Sequence, residues 1–193
     1  MKVYVKQRKI TLFGNKYIVY KDDRELYVVR RILLSIKRKY EISQYYTGQT
    51  IGTIENGLLS FKANATVSIP SGKYKVVQKS FNSLKFKCRN QDSSHSEIEM
   101  KGSKGYSGNI YENSKQIGRW NKNKFIVFHG DAFEMDLDYD VDLELMIALM
   151  VIVDMFRIQI KIGGEIGWDT GNIARGLERG NTVWRPKEKG KNQ

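Results

Sequence analysis

Proline is nearly absent from this chain of 193 residues, with only Pro70 and Pro186 present. Proline removes a ladder donor, so the long interval without it leaves room for continuous β-strands. Cys88 is the single cysteine, which excludes an intramolecular disulfide and fits a reducing compartment. His95 and His129 are the only histidines and lie far apart, so no His/Cys grouping has the spacing of a zinc site. Long apolar runs are scarce as well. The N-terminus, MKVYVKQRKITLF, contains no stretch of signal-peptide length. The one candidate span, Leu143 to Phe156, covers 14 positions and includes Glu144 and Asp154. A bilayer crossing needs ~20 mostly apolar residues. A cytoplasmic protein is the expectation.

What is present from Lys2 to about Tyr139 is a succession of short runs rich in Tyr, Val, Ile and Phe. Val3–Val5, Lys16–Tyr20, Leu26–Arg30, Tyr40–Ser43, Thr50–Ile54, Leu58–Lys62 and Thr66–Ile69 come first. Tyr74–Gln78, Leu84–Cys88, Ile98–Lys101, Gly108–Tyr111, Gln116–Trp120, Phe125–His129 and Phe133–Tyr139 follow. Turn residues separate them at Gly14-Asn15, Asp22-Asp23, Glu55-Asn56-Gly57, Ser71-Gly72, Asn113-Ser114 and Asn121-Lys122-Asn123. Evenly spaced strands without intervening helices predict an antiparallel sandwich or barrel and argue against a parallel βαβ sheet. An internal echo pairs Ile51-Gly52 with Ile117-Gly118, and a glycine inside a strand marks a bulge or a close backbone approach.

The next element differs in kind. Leu143, Leu145 to Val153, Met155 and Phe156 are apolar at nearly every angle of a 3.6-residue period. A helix lying on a sheet would keep a polar face; this one keeps none between Leu145 and Val153, so it must be enclosed. Fourteen residues extend ~21 Å, enough to thread a small barrel. Asp140 or Asp142 suits its N-cap and Arg157 its C-terminal pole, which predicts a helix over about 141–157. Beyond Ile160, seven glycines among scattered charges predict a flexible basic tail over 161–193. A short helix around Thr170 to Arg179, or docking of one tryptophan, is the alternative there.

A closed barrel threaded by its own C-terminal helix resembles the tubby C-terminal superfamily, which includes LURP-one-related proteins and phospholipid scramblases. The resemblance is carried by Phe133, Asp136-Leu137-Asp138, Asp140-Val141 and the helix end Val153-Asp154-Met155-Phe156, with Ile117-Gly118-Arg119-Trp120 upstream. It is closest to the short, bacterial-type LURP-one-like members. It implies a mainly β domain over 1–160, a closed antiparallel barrel of about 12 strands around a central helix. The calcium segment and proline-rich region of scramblases have no counterpart, so scrambling and calcium binding are not carried over. Nor can the phosphoinositide-binding basic residues of true tubby proteins be matched one by one.

The formal net charge of +12 is uneven. Residues 1–40 hold twelve Lys/Arg against three acids, residues 41–156 thirteen against fourteen, and residues 157–193 eight against four. Such asymmetry points either to a polyanionic partner or to a merely solvated basic face. Arg30, Arg31, Lys37, Arg38 and Lys39 form the leading candidate site for an anionic ligand. Alternation on a regular strand forbids Arg30 and Arg31 from both pointing outward, so a bend or bulge is expected there.

The acidic series Asp131, Glu134, Asp136, Asp138, Asp140 and Asp142 could present oxygens to a hard cation. It lacks the EF-hand spacing, and an acidic strand face paired with Lys and Arg is the preferred reading. Gly102-Ser-Lys-Gly105-Tyr-Ser-Gly108 lacks the Walker form and reads as a loop. No nucleophile elbow is visible. The expectation is a monomeric, non-catalytic binding module without cofactor or metal. Its partner would be anionic phospholipid at the inner membrane face. Nucleic acid is the weaker alternative, with Tyr4, Tyr17, Tyr27 or Trp184 stacking on bases. A structural or protein-interaction role is the third.

Overall fold

The computed structural model describes residues 1–10, 14–33, 35, 38–57, 64–79, 84–93, 96–103, 107–123, 132–164 and 184–187. Among the described residues, twelve strands precede one helix. They are β1 (Lys2–Ile10), β2 (Gly14–Lys21), β3 (Arg24–Ile32), β4 (Lys39–Gln44), β5 (Thr50–Asn56) and β6 (Asn64–Ile69). Then come β7 (Gly72–Gln78), β8 (Lys85–Asn90), β9 (Glu97–Ser103), β10 (Ser107–Glu112), β11 (Lys115–Asn123), β12 (Ala132–Leu137) and α1 (Leu143–Gly164). Each strand pairs antiparallel with its sequence neighbours, and β1 closes on β12 with Val5 opposite Phe133. The expected closed antiparallel barrel of twelve strands with one C-terminal helix is the fold. Twelve of the anticipated runs coincide with these strands, while Leu58–Lys62 and Phe125–His129 lie outside the described residues.

Every residue of α1 from Leu145 to Phe156 is buried, and Met146 to Val151 expose 0% of their surface. Around them stand the inward residues of the strands, among them Val3, Val5, Val19, Val29, Ile42, Ile54, Phe86, Met100, Ile110, Phe133 and Met135. Burying each larger apolar side chain contributes about 2 kcal/mol, so the helix supplies apolar surface that the barrel alone could not. Asp154 is the one charged residue within this enclosed stretch; the Tyr17 hydroxyl donates to its Oδ2 at 3.0 Å. That bond offsets the cost of placing a carboxyl in an apolar interior.

The helix begins where its sequence said it should. Asp142 is the N-cap, its Oδ1 accepting from Leu145 N–H at 2.9 Å. Its end lies later than expected, because 157–164 contains no helix breaker before Gly163-Gly164. The apolar-all-round criterion had measured the enclosed part only.

The two ends of the barrel differ. At one, the head, lie the start of α1, the Met1 amine bonded to Leu137 O, and tight turns at Asp22-Asp23, Pro70-Ser71 and Asn113-Ser114. Asp22, Asp23, Asn113 and Ser114 take positive φ (50°, 59°, 47° and 71°), the geometry that matches strand twist in two-residue hairpins. Strand direction puts the ends of β1, β3, β5, β7, β9 and β11 at the other end, the foot, toward which α1 runs.

Two expected turns are instead strand. Glu55 and Asn56 close β5, and Asn121-Lys122-Asn123 belongs to β11, paired through Ala132, Phe133 and Glu134 of β12. The Lys122 ammonium lies 5.8 Å from the Phe133 ring centroid, so a nominally turn-forming residue instead packs into the sheet. The Ile-Gly echo is a matched pair of β-bulges. Between β4 and β5, Ile42 opposes Gly52 but Ser43 opposes Thr50, leaving Ile51 as the extra residue. Between β10 and β11, Ile110 opposes Gly118 but Tyr111 opposes Gln116, leaving Ile117. A Cβ on Gly52 would meet Ser68 O at 2.9 Å, and one on Gly118 would meet Leu137 Cδ2 at 2.7 Å.

Cys88 faces inward from β8, and burial followed by the charge of Asp142 pushes its thiol pKa up to about 12. The thiol therefore stays protonated near neutrality. In the folded protein at pH 8 it should resist thiol-specific reagents and react only as fast as the barrel unfolds; rapid native labelling would contradict the enclosure. Leu149→Ala should cost about 3 kcal/mol in urea unfolding, with no local collapse available to fill the void.

Candidate functional site

Arg30 and Arg31 end β3 at the foot of the barrel. Arg30 faces outward between Lys16 of β2 and Glu41 of β4. Arg31 shares the inward parity of Val29, yet both arginines are exposed. The bulge expected there does not exist: pairing with β4 is regular from Tyr27–Gln44 to Ile32–Lys39, and the irregularity of β3 lies at Leu26. Arg31 reaches water because it is an inward residue at the rim, where the barrel opens. Alternation holds, but it dictates burial only below the mouth.

Arg38 joins them from the start of β4. Burial raises the pKa of Tyr40, and the guanidiniums of Arg31 and then Arg38 pull against that rise, so both charges stand near this phenol. Arg30, Arg31 and Arg38 make no ion pair with any described residue. Lys39 is different, since its ammonium is held by Glu55 at 3.0 Å, and Lys37 lies outside the described residues. Leu33, two residues beyond Arg31 in the chain, is 47% exposed. Of the five residues singled out from sequence, three are exposed and make no ion pair among the described residues, one is held by Glu55 and one is not described.

A second cationic surface went unnoticed in the sequence. On the outer face of β7–β9, Lys73, Lys75, Lys79, Lys85, Lys87, Arg89 and Lys101 outnumber Glu97 and Glu99. Glu97 takes Lys87 at 2.5 Å and Arg89 at 2.6 Å, and these bonds lower its pKa. Glu99 takes Lys79 and, at 3.2 Å, Lys101. Lys75 still opposes Arg89, and Lys85 opposes Lys101, like charges facing each other across strands. The period-2 run Lys85-x-Lys87-x-Arg89 was the legible signal. Summing charge over 41–156 concealed it, because the acids of 131–144 cancelled it.

Those acids are engaged. Asp136 holds Arg119 at 2.8 Å and Glu134 holds Lys2 at 2.6 Å, the paired acidic strand face anticipated. Beyond β12 the residues leave the strand, so the single carboxylate face breaks up. Asp142 caps α1, and Asp131 lies outside the described residues. Buried Asp138 accepts from Lys187 N–H at 2.8 Å, and Asp140 holds the Lys187 ammonium at 3.1 Å, which keeps the Asp140 pKa below its ordinary value. Trp184 donates from Nε1 to Gln116 O at 3.1 Å, with the Arg119 guanidinium 6.0 Å from its ring centroid. Residues 184–187 thus strap back onto the head, as tryptophan docking would have it. Among the described residues, no three His, Cys, Asp or Glu side chains are grouped to hold a metal ion. Residues 104–106 of the glycine-rich stretch, His95 and His129 lie outside the described residues.

The strap predicts a local exchange signature. Asp138→Ala should abolish hydrogen-exchange protection of the Lys187 amide while leaving the α1 amides protected. An unchanged Lys187 amide would contradict the bond.

No helix among the described residues is long and apolar enough to cross a membrane. No curated protein matches the chain in a sequence search. The LURP-one-related family profile matches residues 1–154, from the first strand through the enclosed helix. A match over that extent, on a closed barrel filled by its own helix, places this chain in the LURP-one-related family.

Proposed function

We propose that this protein is a non-catalytic binding module that associates reversibly with anionic phospholipid head groups. The observation that carries the reading is that Arg30, Arg31 and Arg38 are exposed and make no ion pair among the described residues, with Arg31 and Arg38 both near the Tyr40 phenol. Cations with intramolecular partners offer little to a ligand, and these three have none among the described residues. The likeness of the LURP-one-related family to the lipid-binding tubby superfamily supports the same direction.

Magnitudes set the character of the binding. Each Lys or Arg near an anionic bilayer contributes about 1 kcal/mol, so three give about 3 kcal/mol before orientation costs. That is a weak, salt-sensitive, peripheral attachment, below that of a single lipid chain. The interior is filled by α1, so a ligand meets the outside or the rim. A cytoplasmic protein visiting the inner membrane face is the corresponding location.

Liposome co-sedimentation tests the reading. The full chain should bind vesicles containing phosphatidylglycerol and not pure phosphatidylcholine, and binding should fall as salt rises. Arg30→Glu/Arg31→Glu/Arg38→Glu should weaken it at least about tenfold. Equal binding to neutral vesicles, or an undiminished triple variant, would overturn it.

A further inference from the structure

We infer, independently of the lipid reading above, that the head of the barrel carries a recognition groove for an extended Trp-x-Pro-Lys segment. Residues 184–187 fill this groove in their own chain, and the same segment of a second copy is its occupant in trans.

The end of a ladder makes the groove. β11 and β12 pair as far as Gly118 and Leu137, and a further bond runs from Asp138 N–H to Ile117 O. There β12 gives way to the connection into α1, beside the bulge at Ile117. The preceding carbonyl of β11, that of Gln116, takes the indole N–H of Trp184 at 3.1 Å instead.

Residues 184–187 meet this edge as a strand would. Trp184 and Pro186 are half-buried while Arg185 and Lys187 are exposed, the period of two of an extended chain with one face down. Pro186 has no N–H to leave unpaired, and it disfavours a helical Arg185, which suits that path. The Lys187 N–H then bonds Asp138 Oδ1 at 2.8 Å, and the Lys187 ammonium reaches Asp140 at 3.1 Å. Asp138 is 1% exposed, and a carboxylate so buried needs the donor that the segment brings. Arg119 is fixed by Asp136 at 2.8 Å, with its guanidinium 6.0 Å from the Trp184 ring centroid, the outer reach of a cation–π contact. Indole, backbone amide and ammonium are thus read at three separate points. A basic segment of another sequence would keep only the pair with Asp140, which is exposed and contributes little.

The barrel closes without this occupant. β1 pairs with β12, and the family match ends at residue 154, well before Trp184. Every copy carries the segment, so every copy is both a donor and an acceptor. A tethered occupant competes at an effective concentration on the order of millimolar. The chain's own segment therefore holds the groove in dilute solution. A second copy's segment enters where the first is lost or where copies are crowded.

Two full-length variants separate donor from acceptor. Trp184→Ala/Lys187→Glu vacates the groove and spoils the segment, whereas Asp138→Ala/Asp140→Lys spoils the groove and frees the segment. Thermal melting verifies that both fold. In analytical ultracentrifugation at about 0.5 mM, near the effective concentration of the tether, each variant alone should be monomeric and their mixture should form a one-to-one heterodimer. A mixture that stays monomeric overturns the inference, and so does self-association of either variant alone.

Should Asp138→Ala unfold the chain, a labelled peptide of residues 181–190 needs only the vacated variant. It should bind Trp184→Ala/Lys187→Glu saturably and at least about tenfold more tightly than it binds the unaltered chain, whose own segment competes. Trp184→Ala within the peptide should weaken that binding at least about fivefold, the loss expected for one hydrogen bond. Equal binding of the altered peptide would mean that charge alone is read, and absence of binding would mean that nothing is recognised in trans. Either result overturns the inference, as does peptide binding without association of the two folded chains, which would exclude a second copy as the occupant.

Discussion

An apolar helix that must be covered on every side is the constraint on which this molecule depends. No single sheet face can cover α1, because Leu145 to Phe156 presents no side fit for water. A closed ring of twelve strands can. Closure then makes the first strand and the last neighbours, with Val3 opposite Met135 and the Met1 amine on Leu137 O. The helix container is complete only when both ends of the strand region have been brought together. Such long-range closure costs loop entropy before contacts repay it, which predicts slow, cooperative folding for a barrel of this topology. Asp154, a carboxylate buried within the enclosed helix, is tolerated because β2 delivers the Tyr17 hydroxyl to it.

Filling the interior moves function outward. A barrel with an empty lumen can hold a ligand; one plugged by its own chain has only its rims and outer wall to offer. At the head, acids and backbone groups are consumed in capping α1 and in strapping residues 184–187. On the outer wall, some cations face one another across strands, as Lys75 does Arg89 and Lys85 does Lys101. The same antiparallel order that closes the ring also sorts these charges, since residues at the ends of odd strands and the starts of even strands share the foot.

Much of this could be read from residues alone. Uniform apolarity between Leu145 and Val153 gave away the enclosed helix, alternation gave the strands, and Asp142 fits an N-cap by residue type and place. The repeated Ile-Gly pair proved to be two bulges at Ile51 and Ile117, so a faint echo had a structural cause. Other features depended on geometry that one-dimensional rules do not hold. Arg30 and Arg31 are both exposed because a rim ends the distinction between inside and outside. Asn121-Lys122-Asn123 looks like a turn, yet cross-strand pairing with β12 overrides that preference. The lysines of β7–β9 vanished in a regional sum, since acids distant in space cancelled them on paper. Trp184 docks through one N–H to the Gln116 carbonyl, a contact no local pattern announces.

The central claim, that helix and barrel are one cooperative unit with no partial opening that exposes α1, is tested most directly by native-state hydrogen exchange across a urea series. Amides of Leu145 to Phe156 should exchange only through global unfolding, with the free energy and urea dependence of the most protected strands. Helix amides that exchange at distinctly lower free energy than β1 and β12, with little urea dependence, would show that α1 can leave a standing barrel and would contradict the account.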